Sequence, residues 1–328
     1  MTGSGGNRAM ERQELVGRVR GLEDEIRRLV VGQQRVVHDM LVGLLAGGHL
    51  MVEGLPGLGK TLLVRVLAAG VGGSFNRIQF TPDLMPSDIS GHTLYDMKSE
   101  TFRVRKGPVF CNFLLADEIN RAPAKTQSAL LEVMQEQQVT IEGRTFPVQR
   151  PFLVMATQNP IEQEGTYPLP QAQLDRFLLK LFIDYPGEQE EQTMLREVTR
   201  DALADTLDTT GVRQVLQPAE IQRLQQMSAR LRVDDQIIAY VVRIVRAARE
   251  WNGIETGPGP RGGIALLRAA RAGALLDGRG YVVPDDVKGV ALAALRHRVR
   301  LTTDMEIEGY SPDDLLREVI DSVDAPRV

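Results

Sequence analysis

The sequence of 328 residues predicts an α/β fold in which a parallel sheet covered by helices precedes an all-helical domain. Apolar strand patterns alternate with helical ones as far as residue 184, only helical patterns follow, and a glycine-rich segment joins one strand to the next helix. Buried strands that alternate with helices are typical of parallel sheets covered on both faces. We therefore expect a flexible tail at 1–10, an α/β core at 11–184 and a helical domain at 185–328.

The elements of the first domain follow from their apolar periodicity. Helical patterns occupy 11–30, interrupted by Gly17 and Gly21, and then 33–46. The strand patterns lie at 49–54, 75–80, 110–117, 152–157 and 178–184, and the helical patterns between them at 60–71 and 124–137. Two further segments, 91–108 and 138–152, alternate polar and apolar residues around a central turn. The second has Glu142-Gly143 at its tip, so we expect both to be inserted β-hairpins.

The second domain shows helical periodicity and no strand pattern. The helical segments lie at 188–203, 218–231, 235–251, 263–276, 284–299 and 311–323. Pro218, Pro284 and Pro312 stand at or near the first turn of their segments, where proline is favoured and where acidic residues suit the helix dipole.

Composition excludes several functional classes. The net charge of −4 and the pI of about 5.7 provide no overall basic field for nucleic acid or an anionic membrane. Cys111 is the only cysteine and lies in an apolar run, which favours an inert core residue and excludes an intramolecular disulfide. The four histidines are scattered and most simply structural. With no long apolar run and no signal-peptide pattern, we expect no membrane span and a cytoplasmic protein.

The segment "GLPGLGKT" at 54–61 fits the phosphate-binding pattern GxxxxGK[ST] between a strand and a helix. Its glycines let the backbone aim successive N–H groups at a phosphate, and the following helix adds its positive end. Lys60 would reach the β- and γ-phosphates of ATP, and the Thr61 hydroxyl would bind Mg²⁺. The predicted cradle comprises Gly54, Leu55, Pro56, Gly57, Leu58, Gly59, Lys60, Thr61 and Leu62.

Two more strands end in residues suited to this site. "FLLADE" at 113–118 supplies Asp117 as a second Mg²⁺ ligand and Glu118 as the general base. "FLVMATQN" at 152–159 ends in Asn159, which can orient water or contact the γ-phosphate. Parallel strands end at a common edge, so these residues would converge. Taken alone, an acidic strand end is also typical of a surface, and an Asn before a proline is also typical of a turn.

The chain resembles the MoxR family of AAA+ ATPases, in the branch that carries a helix-2 insertion. The resemblance covers residues 12–322 and rests on "GLPGLGKT", "LLADEINRAPAKTQSALLEVMQE", "MATQNPIEQEGTYPLPQAQLDRF" and "GPGPRGG". It implies a parallel-sheet core with hairpin insertions and an all-α lid. The hairpin at 91–108 corresponds to the helix-2 insertion, and that at 138–152 to the pre-sensor-1 hairpin facing a ring pore.

The resemblance also implies roles for residues in the matching motifs. Asn159 matches sensor 1, and Val31 and Gly32 match the segment near the adenine. Arg176 matches an arginine finger that enters a neighbouring subunit's site, and Arg261 matches sensor 2, acting within its own subunit or across the boundary. Without the resemblance, the sequence favours an intramolecular ion pair near a helix end for Arg176 and a surface position in a first helical turn for Arg261.

Some features depart from the family pattern or have no family role. Gly259, Gly262 and Gly263 surround Arg261 where the family usually has Ala or Ser, which makes that helix start less rigid. Ala124 replaces a common proline, a change we expect to be harmless. Arg121 has no role that the sequence assigns.

The resemblance implies an ATPase that forms hexameric rings and remodels protein clients with a von Willebrand factor A domain, for metal insertion or complex maturation. Three alternatives stay open: a nucleic-acid motor of MCM type, a nucleotide-dependent binding switch, and a magnesium-chelatase ATPase subunit. The hairpin at 91–108 carries four basic residues against two acidic ones, but the chain is acidic overall, so a nucleic-acid partner is not expected.

Overall fold

The structure is a computed structural model that describes residues 3–159, 165–199 and 211–327. The helices are α1 (Gly3–Leu29), α2 (Gln34–Leu45), α3 (Lys60–Val71), α4 (Pro86–Ser90), α5 (Ala124–Glu136), α6 (Gln171–Leu174), α7 (Glu188–Thr199), α8 (Pro218–Ala229), α9 (Asp235–Glu250), α10 (Pro260–Leu276), α11 (Pro284–Leu295), α12 (Thr303–Ile307) and α13 (Pro312–Ser322). The strands are β1 (Leu50–Gly54), β2 (Phe75–Gln79), β3 (Gly91–Asp96), β4 (Thr101–Lys106), β5 (Phe113–Asp117), β6 (Gln138–Ile141), β7 (Arg144–Pro147), β8 (Leu153–Gln158), β9 (Leu179–Ile183), β10 (Ile254–Thr256) and β11 (Arg300–Leu301).

A five-stranded parallel sheet in the order β2-β5-β8-β1-β9 forms the centre of the first domain. Gly54 lies beside Ile183, and Gln79 lies beside Asp117, so the carboxyl ends of the strands share one edge. The loops that follow β1, β5 and β8 therefore open on the same side of the sheet. This edge is where ligands bind in open α/β folds.

Both faces of the sheet are buried, as expected for parallel strands. Leu50 and Val52 belong to a cluster shared with α1, α2, α3 and the helices of the second domain, whereas Met51 belongs to a second cluster with α5 and the hairpins. Successive residues of β1 thus face opposite sides, as the pleat requires. The first cluster is continuous across both domains, since it includes Leu22 of α1 and Leu266 of α10.

The predicted α/β core followed by a helical domain is confirmed, and so are both hairpins. β3 pairs with β4 and β6 pairs with β7, each antiparallel. Glu142 and Gly143 join β6 to β7 with φ of 47° and 74°, the left-handed conformation that two-residue hairpin loops need.

Two expectations differ from the structure. Helix α1 begins at Gly3, so it includes most of the segment expected as a flexible tail, and it passes Gly17 and Gly21 without a break. Each glycine costs a helix only about 1 kcal/mol, and no proline stops it. The second domain is not purely helical, because β10 and β11 form a small antiparallel ribbon. Strands of two and three residues are too short to show a period.

The helix expected at 188–203 is described from Glu188 to Thr199, and its remainder lies outside the described residues. Residues 160–164 of the block that carries the resemblance also lie outside them. The expected boundary at 184/185 falls in the loop between β9 and α7.

Two glycines at helical positions predict opposite effects on stability. A Cβ at Gly17 would meet no atom within 4 Å, so Gly17→Ala should raise the free energy of unfolding by roughly 0.5–1 kcal/mol. A Cβ at the buried Gly70 would overlap Leu22 Cδ1, so Gly70→Ala should lower the free energy of unfolding by about 1–3 kcal/mol. Urea unfolding followed by circular dichroism measures both. A destabilising Gly17→Ala would contradict the placement of that residue in a continuous, open helix face.

Candidate active site

The glycine-rich loop leaves the carboxyl end of β1 and leads into α3, which begins at Lys60. Gly57 and Gly59 have φ of 85° and 78°, a left-handed conformation that favours glycine. A Cβ at Gly54 would lie 2.5 Å from the Ile183 carbonyl oxygen, so β1 and β9 approach closely only because this residue is glycine. Leu58 and Leu62 pack against the main hydrophobic cluster and anchor the loop.

The loop borders a cavity of about 250 Å³ at the carboxyl edge of the sheet. The lining residues are Pro56, Gly57, Gly59, Lys60, Thr61, Arg77, Gln79, Asp117, Glu118 and Asn159. The Lys60 ammonium donates a 2.6 Å hydrogen bond to the Gly54 carbonyl. Burial lowers the pKa of Lys60, while the neighbouring Asp117 and Glu118 carboxylates act in the opposite direction. The structure thus brings Lys60, Thr61, Asp117, Glu118 and Asn159 to one cavity.

Asp117 ends β5 and is held by its two neighbouring strands. The buried Thr157 hydroxyl of β8 donates to Asp117 Oδ1 at 2.6 Å, and the same hydroxyl accepts the Glu118 backbone N–H at 2.8 Å. Arg77 of β2 pairs with Asp117 Oδ2 at 2.7 Å. These contacts fix the direction of the Asp117 side chain and the position of the Glu118 backbone relative to the loop.

Glu118 has a left-handed backbone, with φ of 56°, directly after the strand. Its Oε2 accepts a 2.8 Å hydrogen bond from the Gln79 amide and lies 3.1 Å from Arg121 Nε. Arg121, to which the sequence assigned no role, is therefore an ion-pair partner of the candidate base. A left-handed glutamate is uncommon and marks a backbone that the surrounding contacts determine.

Sequence reasoning missed Arg77, Gln79 and Thr157. Arg77 and Gln79 are alternate residues of β2, and their contacts with the acids of β5 follow from the register that sets Gln79 beside Asp117. A polar side chain near the end of a strand was the available signal. The pairing of strands that are distant in sequence could not be read from the sequence.

The lining fits a magnesium nucleotide. The Thr61 hydroxyl and the Asp117 carboxylate are hard oxygen ligands of the kind that Mg²⁺ prefers. Among the described residues, no group of three or more His, Cys, Asp or Glu side chains could hold a metal ion. A cation bound by one or two protein oxygens together with substrate phosphates and water is the usual arrangement for Mg²⁺.

Val31 and Gly32, expected near the adenine, lie in the turn between α1 and α2. Gly32 has φ of 81°, and a Cβ there would lie 2.7 Å from Pro186 Cβ, just beyond the carboxyl end of β9. Gly32 lines a groove of about 500 Å³ with Tyr185 and with Leu292 of α11. The groove opens near the loop edge of the sheet, beside the second domain. Val31 does not line it.

Arg176 and Arg261 lie elsewhere. Both line a separate cavity of about 430 Å³, which shares no lining residue with the one at the glycine-rich loop. Arg176 is exposed, precedes β9, and donates to the Leu131 carbonyl at 3.1 Å. Arg268 and Arg298 also line this cavity, and Asp175 is its only acidic lining residue in the part of the chain that the structure describes. Burial lowers the pKa of the neighbouring His49 to about 4, so that ring is neutral at pH 7.

The strand polarity explains this separation. Leu179 starts β9 beside Leu50, whereas the glycine-rich loop follows the opposite end of the paired strand β1. Five residues of strand span about 16 Å, which exceeds the reach of an arginine side chain. Arg176 therefore cannot contact the phosphate cradle of its own chain.

Comparison with known proteins agrees with the fold. Residues 49–179 match the ATPase family associated with various cellular activities (AAA), and residues 246–319 match the AAA lid domain. A crystal structure of a Cytophaga hutchinsonii protein superposes with a TM-score of 0.90 at 39% identity, covering 98% of both chains. Among the described residues, no helix has the length and apolarity that crossing a membrane requires.

Two relatives are similar over most of their length. Chaperone MoxR1 of Mycobacterium tuberculosis is 48% identical over 313 residues, which is 93% of this chain and 81% of the relative. The uncharacterised protein YeaC of Bacillus subtilis is 45% identical over 303 residues, 92% and 93% of the two chains. With its AAA core, its lid domain and these relatives, the chain belongs to the MoxR family of AAA+ ATPases.

Proposed function

We propose that this protein hydrolyses ATP with Mg²⁺ at sites completed between neighbouring subunits of a ring, and uses the cycle to remodel protein clients. The observation that carries the proposal is the position of Arg176, at the opposite sheet edge from the phosphate cradle. An arginine that stabilises transition-state charge has to contact the phosphates. In this fold, Arg176 can contact only phosphates that are bound by another chain.

The residues of one chain supply binding and proton transfer. Backbone N–H groups of the loop and the Lys60 ammonium hold the phosphates, and Asn159 orients the attacking water. Thr61 and Asp117 would hold Mg²⁺, which neutralises phosphate charge when bound. The water oxygen bonds to the γ-phosphorus, the bond to the β–γ bridging oxygen breaks, and Glu118 takes the water proton. Gln79 and Arg121 both contact Oε2, so we assign Oε1 to the water.

The neighbouring chain supplies cations. Arg261 shares its cavity with Arg176 and not with the phosphate cradle, which favours action across the subunit boundary. Among the described residues, the cavity is lined by four arginines, of which Arg298 is buried and paired with Asp175, so the three others suit an incoming polyanion. The sequence left open whether Arg261 acts within its own subunit or across the subunit boundary, and this assignment chooses the second. We assign the adenine of ATP to the groove beside Gly32.

The six-fold ring, a client with a von Willebrand factor A domain, and a role in metal insertion or complex maturation are carried over from the MoxR resemblance. Family membership favours them over a magnesium-chelatase subunit. A cytoplasmic location belongs to the same proposal, because Cys111 is buried and unpaired, as is typical of reducing compartments. The filled catalytic positions favour turnover over a switch without hydrolysis.

The hairpin β3–β4 favours a polypeptide client over nucleic acid. Met97 at its turn is 85% exposed and Phe102 is 75% exposed, and Phe102 packs edge-on against Tyr95 at 5.2 Å. Two of its cations are engaged locally. Arg103 pairs with Asp96 at 3.2 Å, and Lys106 lies over the Phe110 ring at 4.8 Å. An apolar tip with partly neutralised charge fits protein contacts better than a phosphate backbone.

Glu118→Gln should keep nucleotide binding and lower the hydrolysis rate by about 10²–10⁴-fold, because the amide cannot accept the water proton. Lys60→Ala should instead lose nucleotide affinity. Phosphate release and calorimetric titration with Mg·ATP measure the two effects. Near wild-type hydrolysis by Glu118→Gln would remove Glu118 as the base.

Arg176→Ala should lower hydrolysis by about 10³–10⁵-fold when that variant is alone. Mixing it with Glu118→Gln subunits should restore activity, since intact cradles of the first then meet intact fingers of the second. The ATPase rate is measured across mixing ratios. The control pair is Lys60→Ala plus Glu118→Gln, in which both variants are defective on the cradle side of the site, so mixing should restore no activity. Absence of rescue with Arg176→Ala would reject a finger acting between subunits.

Single- and double-stranded DNA should change the ATPase rate by less than about twofold at low and at moderate salt. A nucleic-acid motor bound through phosphates would show stimulation that falls steeply as salt rises. Strong, salt-sensitive stimulation would support the motor and reject the polypeptide client.

A further inference from the structure

Arg298 lies in the turn after α11 and is 4% exposed. Its guanidinium is bonded mainly to the segment that contains Arg176. Nε donates to Asp175 Oδ1 at 2.6 Å and Nη2 to the Asp175 carbonyl at 3.1 Å. Nη2 also donates to the Phe177 carbonyl at 2.7 Å, and Nη1 to the Leu178 carbonyl at 3.2 Å and to the Ala294 carbonyl.

These contacts hold the residues on both sides of Arg176 while leaving Arg176 itself exposed. A buried guanidinium is stable only when its donors are satisfied, and its planar fork fixes the direction of each acceptor. The Gln171 amide adds a 2.6 Å hydrogen bond to the His297 carbonyl, so the short helix α6 is joined to the same turn. The backbone that carries the finger is therefore shaped by a residue of the lid domain.

Helix α11 connects this turn with the groove of the chain's own proposed nucleotide site. Lys288, Gly289 and Leu292 of α11 line the groove beside Gly32, and the turn that follows the helix carries Arg298. The twelve residues of α11 form one rigid element about 18 Å long. A shift of α11 at the groove would move Arg298 and, with it, the segment 175–178.

We propose that Arg298 is a positioning residue that holds Arg176 in the geometry needed at the neighbouring subunit's site, and that α11 couples this geometry to the chain's own nucleotide groove. The inference rests on the proposed function, since it assumes that Arg176 acts between subunits. Arg298 acts through the finger segment and does not itself touch the phosphates. A residue that only joins the two domains would produce a different pattern of rescue.

The test uses Arg298→Lys, which keeps the charge but loses the fork, and Asp175→Asn, which keeps the shape but loses the charged acceptor. Each full-length variant is assayed alone and mixed with Glu118→Gln subunits. Arg18→Lys is the matched control, because the Arg18 guanidinium also joins the two domains, through the Val215 carbonyl and the Glu220 carboxylate, and bonds neither to α11 nor to residues 175–178. Circular dichroism and mass photometry report folding and assembly.

We expect Arg298→Lys to lower kcat at least tenfold, with Mg·ATP affinity changed less than threefold, and Asp175→Asn to show a smaller loss of the same kind. Addition of Glu118→Gln subunits should restore most of the lost rate, because the variant's intact cradle then meets an undisturbed finger. Arg18→Lys should keep kcat within about twofold.

Two results would overturn the inference. If Arg176→Ala is rescued by mixing but Arg298→Lys is not, the defect lies in the variant's own site, and the positioning role is wrong while the proposed function stands. If both Arg298→Lys and Asp175→Asn fail to fold, the pair is structural and the inference is rejected. If Arg176→Ala itself shows no rescue, the proposed function is wrong, and the inference that rests on it is wrong as well.

Discussion

The direction of the strands in the central sheet is the constraint on which the rest depends. Because all five strands are parallel, the residues proposed to bind phosphate and activate water follow their carboxyl ends. The segment that carries Arg176 precedes β9 and so lies at the amino edge. No side-chain rotation brings these two edges together. In the proposed mechanism, a complete active site therefore requires two copies of the chain, arranged so that opposite edges of their sheets meet.

The lid domain contributes to both edges at once. Leu292 of α11 borders the groove beside Gly32, and Arg298 after the same helix holds the backbone around Arg176. A continuous hydrophobic cluster joins the lid helices to α1, α2 and one face of the sheet. Dense packing transmits displacement because an interior has little free volume. In the proposed mechanism, nucleotide held in one subunit thus biases the position of the arginine finger offered to the next subunit.

The sequence was most informative where the chemistry depends on residues that are neighbours in sequence. Lys60 and Thr61 are predictable from the glycine loop, and Asp117, Glu118 and Asn159 from the ends of apolar strands. The contacts of Thr157 and Gln79 depend on register between distant strands. Arg298 meets Asp175 across 123 residues, and the strands β10 and β11 are too short to have a period. Such features follow from tertiary packing, which no local pattern encodes.

In the proposed mechanism, one chain holds only part of the catalytic site. The most direct measurement is the ATPase rate per chain, followed on dilution beside the mass distribution of the same samples. We expect the rate per chain to fall in proportion to the loss of assembled protein, while each monomer still binds nucleotide through its own cradle. A monomer that keeps the full rate at every dilution would contradict the account.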